Sequence, residues 1–311
     1  MPDIEMRFNT DMLVLSAPID NALSRQGVDV RRDREFLYLI EPETIRDIYR
    51  IELMAGAQCL VTNTAGITQA RLSHTGLDDR AKDIAKSALA QARALKPQHI
   101  FVEIGPTGLP LDATSATSLR QNRDQYARAA LLFDEDAFDA YFLNAMTGAL
   151  DMQCALMGIR KHSTKPIFAS LSLNGQGQLG KAGSQAANRS GAEQGSRPAK
   201  PAEEAFAMMV EYGANVVGFE WEAPLLQILE KARELRAALP VPLLVQLQTG
   251  EPNPKKQPAA GENPYYCADA MIEAATQLRG AGVQFLRASG QATTAYTGAL
   301  VAASAGFDVM L

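Results

Sequence analysis

The chain has 311 residues, 47% of them hydrophobic and 21% charged, with a formal net charge of −5. These are ordinary values for a soluble globular enzyme with a substantial core, and no Lys/Arg cluster exceeds a pair or triplet such as Arg31-Arg32 or Lys255-Lys256, which argues against nucleic acid as a partner. No stretch of about 18 apolar residues suggests a membrane span, and the opening MPDIEMRFNTDMLVL has no basic n-region, so a cytoplasmic protein is expected.

In chain order, a short apolar run with β-branched residues is followed by an amphipathic helical stretch, about eight times over. Strands are predicted at 12–18, 58–64, 99–106, 140–146, 166–173, 215–221, 242–248 and 283–289. Helical patterns fall near 42–55, 78–95, 120–133, 149–161, 201–212, 223–238, 265–280 and 294–305. Pro42 opens the first helix, and Gly56, Gly213 and Gly282 stand where a left-handed residue would close a helix before the next strand. Strands buried on both faces and alternating with helices predict a (β/α)8 TIM barrel. Such barrels commonly reach roughly 250 residues as one unit, so residues 1–311 are read as a single domain.

Polar residues gather at the ends of the strands, not at their beginnings: Thr62, Asn63, Glu103, Asn144, Ser170, Ser172, Glu220, Gln246, Gln248, Arg287 and Ser289. In a parallel barrel those ends converge on one mouth, where active sites are built. Two long loops, 174–200 and 249–264, follow the fifth and seventh strands on that face and read as lids or docking loops, with plain disorder as the alternative. The three cysteines, Cys59, Cys154 and Cys267, lie far apart without C-x-x-C spacing, so neither a disulfide framework nor a zinc ribbon is suggested. Cys59 falls near the start of the second strand, and Cys154 and Cys267 fall inside predicted helices.

The segment EPETIRDIYRIELMAGAQCLVTNTAG (41–66) resembles the early block of the homocysteine S-methyltransferase family, with its P-E-x-V helix, A-G-A turn and T-N-T-F strand end. EIGPTGLP (103–110) is similar to the family's S-I-G-P-T, GANVVGFEW (213–221) to its G-A-D-x-x-G-x-N-C, and LVQLQTGEP (244–252) to its V-x-P-N-A-G. Stretch 139–156 matches the strand-four block, so the resemblance runs in order along nearly the whole chain and implies the same barrel independently.

The resemblance implies zinc held by one cysteine after the sixth strand and a cysteine pair, in G-G-C-C-G-T, after the eighth; zinc lowers the pKa of the incoming homocysteine thiol. Here those positions are Trp221, Ser289 and Gly290, and none can replace a thiolate. The family's D-G-A or D-G-G at the first strand is Ser16-Ala17-Pro18, and its E-T at the end of strand four is Asn144-Ala145, so the acids expected to meet the substrate ammonium group are gone. A changed substrate follows as the simplest expectation.

The residues expected to act at the mouth are Glu103 and Glu220 as candidate acids, with Asn63, Asn144, Trp221, Gln248, Arg287 and Ser289 lining the substrate. Simpler roles stand beside these: Trp221 filling the volume vacated by zinc, Glu103 or Glu220 pairing with Arg287, Asn63 bonding loop backbone. No tightly bound cofactor and no metal are expected. The leading reading is a zinc-independent methyltransferase that moves a methyl group from a small methylated donor, an onium or an ether, to folate or to a corrinoid carried by a partner protein. A homocysteine methyltransferase with a rebuilt metal site and a non-catalytic ligand-binding barrel are the alternatives, and homo-oligomerisation is left open.

Overall fold

In the computed structural model, residues 3–179, 202–250, 255 and 265–305 are described. One sheet of eight parallel strands runs in the order β1-β8-β7-β6-β5-β4-β3-β2. The strands are β1 (Leu13–Val14), β2 (Cys59–Val61), β3 (His99–Ile104), β4 (Ala140–Met146), β5 (Ile167–Ser172), β6 (Val216–Trp221), β7 (Leu243–Thr249) and β8 (Phe285–Gly290). The remaining seam is closed by a parallel bridge between Leu15 and Cys59, where the Ser16 N–H donates to the Cys59 carbonyl at 2.9 Å and the Gln58 N–H to the Val14 carbonyl at 3.0 Å. The architecture is therefore the (β/α)8 barrel.

All eight predicted helical stretches are present, from Pro42–Met54 to Thr294–Ala305. Gly56, Gly213 and Gly282 take φ of +98°, +94° and +80°, the left-handed turns read from their positions. One boundary needs correcting. The helix read as 265–280 is Ala270–Gly280, because 265–269 form turns after β7, so Cys267 lies in a partly exposed loop on the mouth side and not in a helix. Three short helices, Asp20–Arg25, Leu37–Ile40 and Gln69–Ser73, were not anticipated; each is too short to show a period. The long loops fall largely outside the described residues.

The strand pairings fix which side chains point inward, since inward and outward positions alternate along each strand. Strand tilt interleaves these side chains in layers drawn from alternate strands. At the bottom are Cys59, Ala140, Val216 and Phe285, then Leu15, Phe101, Phe168 and Leu244. These are buried and apolar, and Ile4 and Phe8 of the N-terminal segment close that end, Phe8 meeting Phe168 and Phe285 edge-on. The pairings place Val61, Phe142, Gly218 and Arg287 next, then Glu103, Ser170 and Gln246, and then Asn144, Glu220, Gln248 and Ser289 toward the mouth. The barrel thus changes from apolar to polar along its own axis.

Candidate functional site

Arg287 sits at the boundary between the two halves. Its guanidinium is buried, lies 5.2 Å from the centre of the Phe142 ring, and donates through Nε to the Ser16 carbonyl at 2.9 Å. Nη1 donates to Gln246 Oε1 at 3.2 Å. Gln246 Nε2 donates in turn to Asn144 Oδ1 at 2.8 Å and Ser170 Oγ at 2.7 Å, and Asn144 Nδ2 donates to Glu103 Oε1 at 2.6 Å. Glu103 Oε1 lies 3.6 Å from Arg287 Nη1, which closes a ring of four side chains from β3, β4, β7 and β8. A buried charge pair is tolerated where neighbouring dipoles satisfy its remaining valences, and this ring supplies them.

The expected lining residues do not form one set. Glu103, Asn144 and Arg287 are joined in the ring. Glu220 also faces inward but stays partly exposed, and its Oε2 accepts from Ser172 Oγ at 3.0 Å. Gln248 and Ser289 are paired across β7 and β8 on the inward face. Ser289 Oγ and Asn63 Nδ2 are buried without a hydrogen-bond partner. The backbone of Asn63 is held instead, its N–H donating to the hydroxyls of Tyr49 at 2.6 Å and Tyr38 at 3.0 Å.

Trp221 stands apart. It pairs with Leu247, one position out of phase with inward Glu220, so its ring leaves the barrel and enters the surrounding core. A tight turn covers it: Leu173 bridges Leu179, Asn174 Oδ1 accepts from the N–H groups of Gln176 and Gln178, and a Cβ at Gly177 would lie 2.7 Å from the indole. Beside this turn, at the rim, a hollow of about 470 Å³ is lined by Leu173, Gly175, Glu222, Ala223, Pro224, Gln227 and Gln248.

The roof over the β1 side comes from residues that the sequence reading passed over. Asp20 pairs with Arg34, and burial raises the Asp20 carboxyl above its ordinary value against the pull of Arg34; Glu103 and Arg287 are close enough to act on it as well. Glu35 accepts from the Gly66 N–H at 2.8 Å, where a Cβ would lie 2.4 Å from its Oε1, and burial raises its carboxyl too. Carboxylates therefore do stand at the mouth, although the first-strand and fourth-strand positions have lost theirs. The one available signal was the charge run Asp29 to Glu35 just after β1.

The three positions that the resemblance assigns to zinc thiolates stand at the ends of β6 and β8, two strands apart, with Ser289 on the inward face and Trp221 turned out of the barrel. The pairings align Trp221 with Leu247, Leu247 with Ala288, and Thr249 with Gly290. Gly290 has φ +67°, and a Cβ there would meet the Thr249 carbonyl at 2.5 Å, so its backbone is shaped for glycine. Cys59 is buried at the opposite end of the barrel, with its thiol pushed up by desolvation, and burial raises the Cys154 thiol to about 11 within the helix Ala149–Arg160. His74 is exposed beyond the helix Gln69–Ser73, while His99 is buried at the start of β3. Among the described residues, no group of three or more His, Cys, Asp or Glu side chains could hold a metal ion. The residues at the thiolate positions do not fit zinc.

A parallel barrel with a polar mouth defines an α/β-barrel protein whose polar groups gather at the C-terminal strand ends, where such folds build their ligand sites. Residues 13–293 match the model of the homocysteine S-methyltransferase family, and the chain belongs to that family. Methionine synthase of Mycobacterium tuberculosis is 26% identical over 199 residues, covering 55% of this chain and 17% of that protein. Methionine synthase of Mycobacterium leprae is 23% identical over 231 residues, covering 70% of this chain and 18% of that protein. The chain thus spans less than a fifth of the length of these two relatives. Among solved structures, the metallated form of the homocysteine methyltransferase MmuM from Escherichia coli superposes with a TM-score of 0.71 at 16% identity, covering 94% of this chain and 96% of that one. That likeness is one of fold. Among the described residues, no helix is long and apolar enough to cross a membrane.

Proposed function

We propose that this protein is a methyltransferase that accepts a small methylated donor at the barrel mouth and passes the methyl group to a corrinoid carried by a partner protein, or to folate, without zinc. The observation that carries this reading is the replacement of all three thiolate positions by Trp221, Ser289 and Gly290 at the ends of β6 and β8, in a chain of this family. Zinc in the family serves to activate a thiol nucleophile. An acceptor that arrives already nucleophilic, such as Co(I), needs from the barrel only a donor held in line for transfer.

The mouth contains side chains suited to that task. The Glu103, Asn144, Gln246 and Arg287 ring forms a rigid floor, and Glu220 presents a carboxyl beside it that, among the described residues, accepts from Ser172. An onium donor departs as a neutral molecule and requires no proton, so Glu220 would contribute charge alone. An ether oxygen must gain a proton or be polarised as it leaves, and Glu220 or Glu103 would be the acid.

The test is methyl transfer to cob(I)alamin by the purified protein, with a panel of methylated amines, sulfonium compounds and methoxyaromatics. Transfer from one class supports the reading, and transfer from none counts against it. About one tightly held zinc per chain, together with homocysteine-dependent methionine formation, would replace it with a rebuilt metal site.

A further inference from the structure

Outside the strands, the helices Ala116–Ala130 and Ala149–Arg160 pack side by side. Ala116, Leu119, Arg120 and Arg123 stand at i, i+3, i+4 and i+7 of the first, which places them on one face. Leu150, Gln153, Cys154 and Met157 repeat that spacing on the second. The two stripes together line a groove of about 380 Å³. Beyond Met157 the helix backbones touch, since a Cβ at Gly158 would lie 2.5 Å from the Arg123 carbonyl oxygen. Within the groove the buried Cys154 thiol donates to the Leu119 carbonyl at 3.8 Å and closes the gap between the helices.

The lining combines apolar walls with two cations that the fold leaves largely uncompensated. Leu119, Leu150 and Met157 supply the apolar surface, and Met157 is 40% exposed. Arg120 is exposed and, among the described residues, forms no hydrogen bond or ion pair. Arg123 Nε is buried without a hydrogen-bond partner; its Nη2 lies 3.5 Å from Asp124 Oδ1, which also lacks a hydrogen bond. The Asp151 carboxyl beside Cys154 is occupied elsewhere, accepting from the Tyr126 hydroxyl at 2.7 Å, and burial raises it above its ordinary value. A concave space of about 300–1,000 Å³ with apolar walls and a few placed polar groups suits a small molecule. Two guanidiniums on one wall select an anionic head, because charge-assisted bonds are roughly twice as strong as neutral ones.

We propose that the groove between these two helices binds a small anionic amphiphile, its acidic head on Arg120 and Arg123 and its hydrocarbon tail along Leu119, Leu150 and Met157. The site is separate from the barrel mouth, and it stands whether or not the proposed methyl transfer does.

The protein is titrated with anilinonaphthalenesulfonate, an anionic dye whose emission rises in an apolar site, and the bound dye is displaced with decanoate or with decanol. Decanoate is expected to displace it at least about tenfold more effectively than decanol, a difference of about 1.4 kcal/mol. R120Q with R123Q should shrink that ratio severalfold; R120Q alone changes an exposed side chain and gives the same readout if the double variant folds poorly. M157E sets a like charge on an exposed position of the wall, so it should weaken dye and decanoate binding severalfold at an unchanged melting temperature. Decanoate should also slow alkylation of Cys154 by N-ethylmaleimide, read from the mass of its peptide. No saturable dye binding, equal displacement by decanol, a ratio untouched by the arginine variants, or Cys154 alkylation unaffected by decanoate would each overturn the site. Co-sedimentation with phosphatidylglycerol vesicles that R120Q and R123Q abolish would overturn it as well, by making the groove a contact for a lipid surface and not for a free molecule.

Discussion

Arg287 of β8 and Glu103 of β3 meet inside the barrel with Nη1 and Oε1 3.6 Å apart, and the hydrogen bonds of Asn144 and Gln246 complete the circuit between them. Because both are buried, removing one strands the other. R287A is expected to lower unfolding free energy by about 3–5 kcal/mol, and R287M with E103L together by much less, since an apolar pair of similar volume avoids the uncompensated charge. Urea unfolding of the two variants checks the ordering.

Trp221 is the sole tryptophan of the chain, and the turn 173–179 lies against its ring. G177A places a methyl group 2.7 Å from the indole at φ +71°, so the turn must shift. Its emission maximum is expected to move to the red as water gains access. W221A should cost about 3–5 kcal/mol, the usual range for deleting a buried tryptophan. Fluorescence spectra and melting curves read both.

Gly290 tests whether backbone conformation contributes to the missing thiolate pair. G290A is expected to destabilise by about 1–3 kcal/mol, because φ +67° and the nearby Thr249 carbonyl both resist a side chain. A melting temperature unchanged in G290A would contradict this, and would mean that a cysteine could be accommodated there without strain.

Burial holds the Glu35 carboxyl above its ordinary value of 4.5, against the opposing pull of Arg34 and the Gly66 N–H. The folded chain therefore keeps this proton to higher pH than the unfolded chain. Its contribution to stability is fully present below the ordinary value and is lost as pH rises through the raised one. E35Q can still accept from Gly66 and carries no titrating proton, so its stability should vary less with pH across that window. Urea midpoints between about pH 4 and about pH 8 compare the two proteins.

Glu220 separates the two donor classes. With an ether donor, E220Q should reduce kcat by about 10²- to 10⁴-fold, the usual range for losing a general acid. With an onium donor the loss should be far smaller. Single-turnover rates with one donor of each class discriminate them.

Much of the barrel was legible because its strands are buried on both faces and its helices are long enough to show a period. The boundaries of β4 coincide with the predicted 140–146, whereas β1 shrinks from 12–18 to Leu13–Val14 because its later residues bond irregularly at the seam with β2. The helix expected from 265 begins at Ala270, and the short helices after β1 and β2 carried no periodic signal. The polar strand ends were also readable, since Glu103, Asn144, Gln246 and Arg287 interrupt otherwise apolar runs.

The amino-acid order alone determined the repeating strand-helix pattern, the glycine turns and the absence of thiolates at three family positions, because each depends on neighbours along the chain. Which polar groups bond one another was settled only by closure of the barrel. Glu103 and Arg287 are separated by more than half of the chain and become partners only when the seam between β1 and β2 brings the sheet round. Trp221 and Glu220 are adjacent in sequence, yet the alternation of a strand sends one into the surrounding core and the other into the mouth. Asp20 and Arg34 reach the mouth through a segment with no period at all, so only the folded chain could show that they form its roof.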